Sequence, residues 1–372
     1  MAIQTSHVGS LPRSQKVVEY IFAKEKGEDY NEIEFDQVMT EAVNDTVRKQ
    51  KKAGITIVSD GETSKISYAT YVKDRYHGFA GDSPRNAPAD LKKFPNYLQK
   101  LANDGGTPKY ARPMCVSKLE PKKNDDLIKD IDNLKKALKG NDIKKGFMNA
   151  ASPGVISLFL QNDYYPSRED YLEALSNLMQ SEYEMIVKSG LDLQIDCPDL
   201  ALSRHMLFND MTDDEFVKVA SINIESLNNA LRNIPKDKIR IHICWGNYEG
   251  PHICDISISK MFETLMNVKT GHILFEAANP RHAHEWEVFE EKKNLIPDDL
   301  ILMPGVIDTT TNFVEHQNLV MQRLKNFTNI VGNDRVIGSS DCGFGTFAGF
   351  GTIDPDIAYE KLKVLAEGAA KV

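Results

Sequence analysis

The stretch Ile239-Arg240-Ile241-His242-Ile243-Cys244-Trp245-Gly246 decides how the chain is read. Its β-branched residues recur at every second position and a glycine closes the run, which is the pattern of a short buried strand. Side chains two apart on a strand point the same way, so His242 and Cys244 share one face. An imidazole and a thiol side by side at a strand end form a ligand pair, although a buried cysteine alone is often only a small apolar residue.

Seven comparable runs flank it, at 3–9, 55–61, 146–151, 191–198, 272–278, 300–307 and 336–342. Between them lie segments of helical periodicity, such as 34–53, 168–189, 213–232, 314–329 and 355–370. Eight strands alternating with helices predict an α/β chain folded as one (β/α)8 TIM barrel over residues 1–372. The rival, an open doubly wound sheet, needs a G-x-G-x-x-G turn after its first strand, and that turn is absent. Residues 343–351 are glycine-rich, but they follow the last strand and carry Phe344, Phe347 and Phe350, so they read as an active-site loop.

One segment breaks the rhythm. Residues 80–141 are polar, lysine-rich and interrupted by Pro84, Pro88, Pro95, Pro108, Pro113 and Pro121, which is too long for a βα connection. We read them as an insertion between strands two and three, either merely decorative or, given some strand character at 110–118, a small excursion that covers the barrel mouth.

Bulk properties exclude several partner classes. The 372 residues are 41% hydrophobic and 27% charged, which is globular composition. A net charge of −9, from 45 basic and 54 acidic residues, gives no basic face for nucleic acid. The start of the chain lacks a secretory pattern and no stretch is apolar for long enough to span a bilayer, so a cytoplasmic protein is expected. Five cysteines (Cys115, Cys197, Cys244, Cys254 and Cys342) over so long a chain argue for reduced thiols rather than a disulfide framework.

In a barrel, chemistry sits at the C-terminal ends of the strands, and here those ends are rich in polar residues. They carry His7 to Ser10, Asp60-Gly61-Glu62, Asp196-Cys197-Pro198-Asp199, His242 with Cys244, Glu276, and Asp341-Cys342-Gly343. Glu276 and Cys342 fall where the barrel brings them to His242 and Cys244. One imidazole, one carboxylate and two thiolates make a complete tetrahedral set for zinc.

With these residues in view, the chain resembles the catalytic half of the cobalamin-independent methionine synthases and their single-barrel relatives. The resemblance runs nearly end to end. It is carried by His7-Val8-Gly9-Ser10-Leu11-Pro12-Arg13, Asp60-Gly61-Glu62, Gln194-Ile195-Asp196-Cys197-Pro198, His242-Ile243-Cys244, Phe275-Glu276 and Ser340-Asp341-Cys342-Gly343-Phe344-Gly345. It implies that His242, Cys244, Glu276 and Cys342 bind zinc.

Two thiolates and a carboxylate give −3 against the +2 of zinc, so such a site is net negative before substrate arrives. Electron-rich zinc is a poor electrophile for water but holds a substrate thiol as thiolate near neutral pH, where a free thiol of pKa about 8.5 is mostly protonated. Hydrolysis by zinc-bound water is therefore disfavoured. The resemblance makes the thiol homocysteine, with Val8 and Ser10 on the side of its carboxylate and Glu62 and Asp196 taking its ammonium.

The donor is where the chain departs from the true synthases. Those enzymes carry a second barrel that helps to hold folate, and they place a histidine for proton transfer where Gly305-Val306-Ile307-Asp308-Thr309-Thr310-Thr311 puts Thr310. Displacing a tertiary amine needs protonation of the leaving group, so methyl-folate or another methyl donor stays open, with Asp308 and Thr310 nearest the expected acid position. Trp245, with the three phenylalanines, is either an aromatic wall for a flat donor or core packing. His282, His284 and the pair His252 and Cys254 carry weaker claims.

Three other readings compete. Some single-barrel relatives join coenzyme M, a sulfonate with no ammonium, to an epoxide, and Arg13, Lys65 and Arg204 are the cations that would suit it. A barrel of the uroporphyrinogen decarboxylase type would hold acidic tetrapyrroles with arginines and bind no metal. A barrel that binds a small molecule without catalysis is the last.

Overall fold

The protein is described from a computed structural model over residues 3–84, 87–103, 110–123 and 125–372. Part of the expected 80–141 insertion, including Pro108, lies outside the described residues.

Its strands are β1 (Gln4–Thr5), β2 (Tyr76–Ala80), β3 (Met114–Pro121), β4 (Phe147–Ala151), β5 (Asp192–Asp196), β6 (Ile239–His242), β7 (His272–Glu276), β8 (Ile301–Ile307) and β9 (Ile337–Ser340). Seven form a curled parallel sheet in the order β1-β9-β8-β7-β6-β5-β4, while β2 and β3 pair antiparallel as a separate ribbon. Helices link the parallel strands, among them Glu32–Lys52, Arg168–Lys188, Asp213–Ala230, Gln317–Val331 and Pro355–Ala369. Each starts on a side chain that accepts from free amides of its first turn, such as Asn31, Ser167, Asp354, or Thr212 in a reciprocal capping box with Glu215.

The second expected strand, 55–61, is reduced to one parallel bridge between Val58 and Gly146. Side chains occupy the positions a longer ladder would use. Thr56 Oγ1 exchanges hydrogen bonds with the Thr5 main chain, and the Gln50 amide takes both Ser59 N, at 3.0 Å, and Ser59 O, at 2.8 Å. The segment still bonds β1 on one side, Ile57 N to Thr5 O, and β4 on the other, Phe147 N to Val58 O.

Apolar side chains fill two layers. The outer layer lies between sheet and helices, whereas the inner cluster is small: Val8, Ile57, Phe147, Leu274, Met303 and Ile337. It is small because Asn149, Gln194, Arg240 and His242 share that interior, and they carry the strand direction towards the site.

Within 80–141, β3 and the helices Ala89–Lys92 and Pro95–Asn103 precede the helix Asp125–Gly140. That last helix joins the helix Glu32–Lys52 through Thr40 to Asn133 and Lys129 to Asp36. Buried Arg75 pins the foot of β2 with ion pairs to Asp130 at 2.6 Å and Glu182 at 2.7 Å. Among the described residues, no helix is long and apolar enough to cross a membrane.

Candidate metal centre

Strand direction delivers the ligands. β6 ends in His242 and is followed by Cys244, and β9 leads into Cys342. The metal-binding atoms of His242, Cys244 and Cys342 all lie within 4.8 Å of one another, and all three residues are buried. The two sulfurs are 3.7 Å apart. Glu276, at the end of β7, stands outside this trio. Its Oε1 accepts from Trp245 N at 2.9 Å and its Oε2 from Asn279 Nδ2 at 3.3 Å.

Asp341 binds the two sides together. Its carboxylate accepts from Ala277 N and Ala278 N at 2.9 Å and from Asn279 N at 2.6 Å, which ties the residue before Cys342 to the turn after Glu276. Gly305 on the intervening β8 makes room, because a β-carbon there would collide with Asp341.

His242 is oriented from behind. Its Nδ1 is 3.1 Å from Asp196 Oδ1, the carboxylate-to-imidazole contact that fixes ligand histidines. Burial works against an imidazolium there, but the hydrogen bond and charge of Asp196 outweigh it and raise the His242 pKa. The Cys244 thiol is pushed well above its ordinary value by its contact with Cys342 and by burial. Two buried sulfurs this close cannot both ionise without a cation between them, and a dication with soft-ligand tolerance fits the set.

The residues expected to hold substrate lie around this centre with unequal freedom. Asp196 is already engaged, by His242 on Oδ1 and by Asn149 Nδ2 at 2.9 Å on Oδ2. Glu62 is buried with Oε2 unpartnered, and burial, then the charge of Asp196, pushes its carboxyl up to about 8. Val8 gives its N–H to Ser340 Oγ and its carbonyl to Asn149 and Gln194. Ser10 accepts Phe344 N on its carbonyl, and its Oγ lies where a β-carbon on Gly343 would have to go.

Several candidates belong to the support instead. Trp245 is fully buried, donates Nε1 to Ile256 O at 2.7 Å and packs against the His282 ring at 4.4 Å, so it matches core packing and offers no open face to a flat donor. Asp308 caps its own turn, accepting from the amides and hydroxyls of Thr310 and Thr311. His252 and Cys254 do not converge: His252 bonds Asp255 at 2.8 Å and Tyr248 O at 3.1 Å. His284 is exposed.

Asp255, Glu285 and Arg240 escaped the sequence reading, although it singles out His252 and His282 beside the first two. The Asp255 carboxylate, 1% exposed, accepts from His252 and from His282 Nε2 at 2.9 Å, and His282 Nδ1 meets Glu285 at 2.8 Å, which forms a charged network behind Trp245. Nothing in the order of these residues marks it, because they come together only through folding. Arg240 could have been found. It stands two residues before His242, hence on the same face, where its Nη2 reaches Ser6 Oγ at 3.0 Å and its guanidinium lies 3.7 Å over the Phe147 ring. Burial, against the pull of Asp192 and Asp196, brings it down to about 9.

No family model matches the chain. Among curated proteins, the methionine synthase of Thermococcus kodakarensis is 25% identical over 368 residues, covering 98% of this chain and 92% of that protein. The chain is thus similar, along nearly its whole length, to proteins named methionine synthase. The resemblance read from its motifs to the cobalamin-independent family therefore extends along almost its full length. A 2-hydroxypropyl-CoM lyase of Xanthobacter autotrophicus is also similar, 24% identical over 366 residues, with 90% of this chain and 86% of that one covered. Among solved structures, a B12-independent methionine synthase from Shewanella sp. W3-18-1, in complex with selenomethionine, superposes with a TM-score of 0.72 over 99% of this chain and 97% of its own. At 19% identity that likeness is one of fold.

Proposed function

We propose that the protein is a cytoplasmic, zinc-dependent methyltransferase that binds homocysteine through its sulfur and converts it to methionine. The observation that carries this reading is the convergence of His242, Cys244 and Cys342 at the strand ends. Glu276 is the fourth ligand, turning from the Trp245 amide to the metal. Zinc held there would supply a Lewis acid that keeps the substrate sulfur deprotonated near neutral pH. Asp196 holds the imidazole, Glu62 takes the ammonium, and Ser10 with the Val8 main chain borders the carboxylate. We take the sheet as a closed (β/α)8 barrel, residues 55–61 supplying its eighth stave and residues 80–141 its excursion.

The coenzyme M reading, which the lyase relative keeps in view, is disfavoured by the cations it would need. Arg13 donates to the carbonyls of Glu62, Thr63, Lys65 and Gly345, Lys65 to Asn149 O at 2.6 Å, and Arg204 to Asp213 and Phe208 O. Each of the three is thus already engaged by acceptors of the protein.

Metal analysis followed by calorimetry tests the proposal. We expect about one zinc per chain, binding of homocysteine but not of coenzyme M, and loss of metal in Cys342→Ser. A metal-free protein whose Cys342→Ser variant binds homocysteine unchanged would overturn it.

A further inference from the structure

Below the metal ligands, two carboxamides on neighbouring strands are used in the same one-sided way. Asn149 of β4 and Gln194 of β5 are partners in the parallel ladder, and both are buried. Asn149 Nδ2 donates to Asp196 Oδ2 and to Val8 O, each at 2.9 Å. Gln194 Nε2 donates to the same Val8 carbonyl and, at 3.4 Å, to Asp196 Oδ1. Each amide thus spends its donor end on two acceptors, while Asn149 Oδ1 and Gln194 Oε1 are buried without a partner. An apolar side chain would fill either place without stranding a polar oxygen, so the donor ends, rather than packing, account for the pair.

Asn149 is anchored on both sides. Its carboxamide fills the space that a β-carbon on Gly9 would need, and Lys65, on the loop that carries Glu62, donates to its main-chain carbonyl at 2.6 Å. It therefore joins the three segments that border homocysteine in the reading above: Val8 to Ser10, Asp196 and the Glu62 loop. The donors on Asp196 are unevenly shared. Among the described residues, Oδ1 accepts from His242 and Gln194, whereas Oδ2 accepts from Asn149. A carboxylate oxygen has about two lone pairs to offer, so the open one belongs to Oδ2. An amide steadies that oxygen and brings no charge of its own, whereas a lysine or arginine in its place would cancel the attraction for an ammonium.

We propose that Asn149 is a positioning residue that sets the site's selectivity for thiols bearing an α-ammonium; this rests on the homocysteine reading above. It holds Asp196 Oδ2 with one lone pair turned to the ammonium, as a second acceptor to Glu62, and it acts through Asp196 without touching substrate. A thiol that has no amino group gains nothing from that oxygen. The resulting preference belongs to the ammonium end of the ligand and is separate from the capture of its sulfur by the metal.

The test is calorimetry on the zinc-loaded protein with homocysteine and with 4-mercaptobutanoate, the same thiol acid without its amino group. The wild type should bind homocysteine about ten-fold or more tightly than 4-mercaptobutanoate. In Asn149→Ala, homocysteine should weaken about 10- to 100-fold while 4-mercaptobutanoate stays within about three-fold, so that the preference collapses with zinc retained. Asn149→Thr, β-branched as suits a strand and too short to reach Asp196, gives the same comparison if the alanine variant does not fold. Equal weakening of both thiols would reduce Asn149 to a structural role, and an unchanged preference would overturn the inference outright. A wild type that fails to bind homocysteine defeats the underlying reading, whereas homocysteine binding with the preference intact in the variants defeats this inference alone.

Discussion

His242 Nδ1 lies 3.1 Å from Asp196 Oδ1, so that Nε2, which is 3.3 Å from the Asp341 carbonyl, is the ring atom a metal would take. Removing such a partner ordinarily weakens metal binding about 10- to 100-fold. Asp196→Asn should therefore release zinc to a competing chelator at concentrations that leave the wild type loaded. Equal chelator curves would show that the contact does not orient the ligand.

Glu62 makes a pH-dependent prediction. Its carboxyl is raised from 4.5 to about 8, so its contribution to stability is complete below 4.5 and is lost as pH rises through 8. Without homocysteine, Glu62→Gln should gain on the wild type across that window, by up to about 3 kcal/mol. Urea denaturation at pH 5 and pH 8 reads the difference, and parallel profiles would count against it. The same variant should bind homocysteine about 10- to 100-fold more weakly, because the ammonium loses its ionic acceptor.

Asp255 holds His252 and His282 together in the interior. Burial pulls His282 down, but Asp255, Glu285 and Glu276 outweigh it and lift it to about 10. Its stabilising effect is thus full below 6.5 and lost as pH rises through 10. Asp255→Asn leaves buried imidazolium uncompensated and should destabilise the fold by about 3–5 kcal/mol. The loss should be greatest at low pH and shrink towards pH 10, a trend that chemical denaturation at several pH values can check.

Gly343 tests the substrate pocket without touching a ligand. A β-carbon there collides with Ser10 Oγ, so Gly343→Ala must turn the Ser10 hydroxyl aside and crowd its β-carbon. We expect homocysteine affinity to fall by about ten-fold or more, with a stability loss of about 1–3 kcal/mol, while zinc is retained. A variant that binds homocysteine like the wild type would remove Ser10 from the substrate site.

The sequence made the strand ends legible because position along a parallel α/β chain is also height in the molecule. His242, Cys244 and Cys342 could be gathered on paper, since each follows a recognisable apolar run. Glu276 was placed in the same circle, but its rotamer was not legible: the Trp245 amide that engages it belongs to the loop after another strand, β6. Residues 55–61 read as a full strand because composition does not show that the Gln50 side chain, nine residues earlier, competes for the Ser59 main chain. The sequence singles out His252 and His282, but their link through Asp255 was not legible for a related reason. All three look like ordinary loop polar residues until burial makes each need the others.

The excursion carries one further consequence through Asp90. This fully buried carboxylate accepts from Tyr248 OH at 2.8 Å and from His252 N at 2.9 Å, and both donors belong to the loop that follows Cys244. A chimera that exchanged residues 87–103 for the matching segment of a relative would strand a phenol and an amide in the dark beside the metal loop. The two segments can be traded between homologues only as a matched set, so diversification of the mouth should proceed by paired exchanges of excursion and loop.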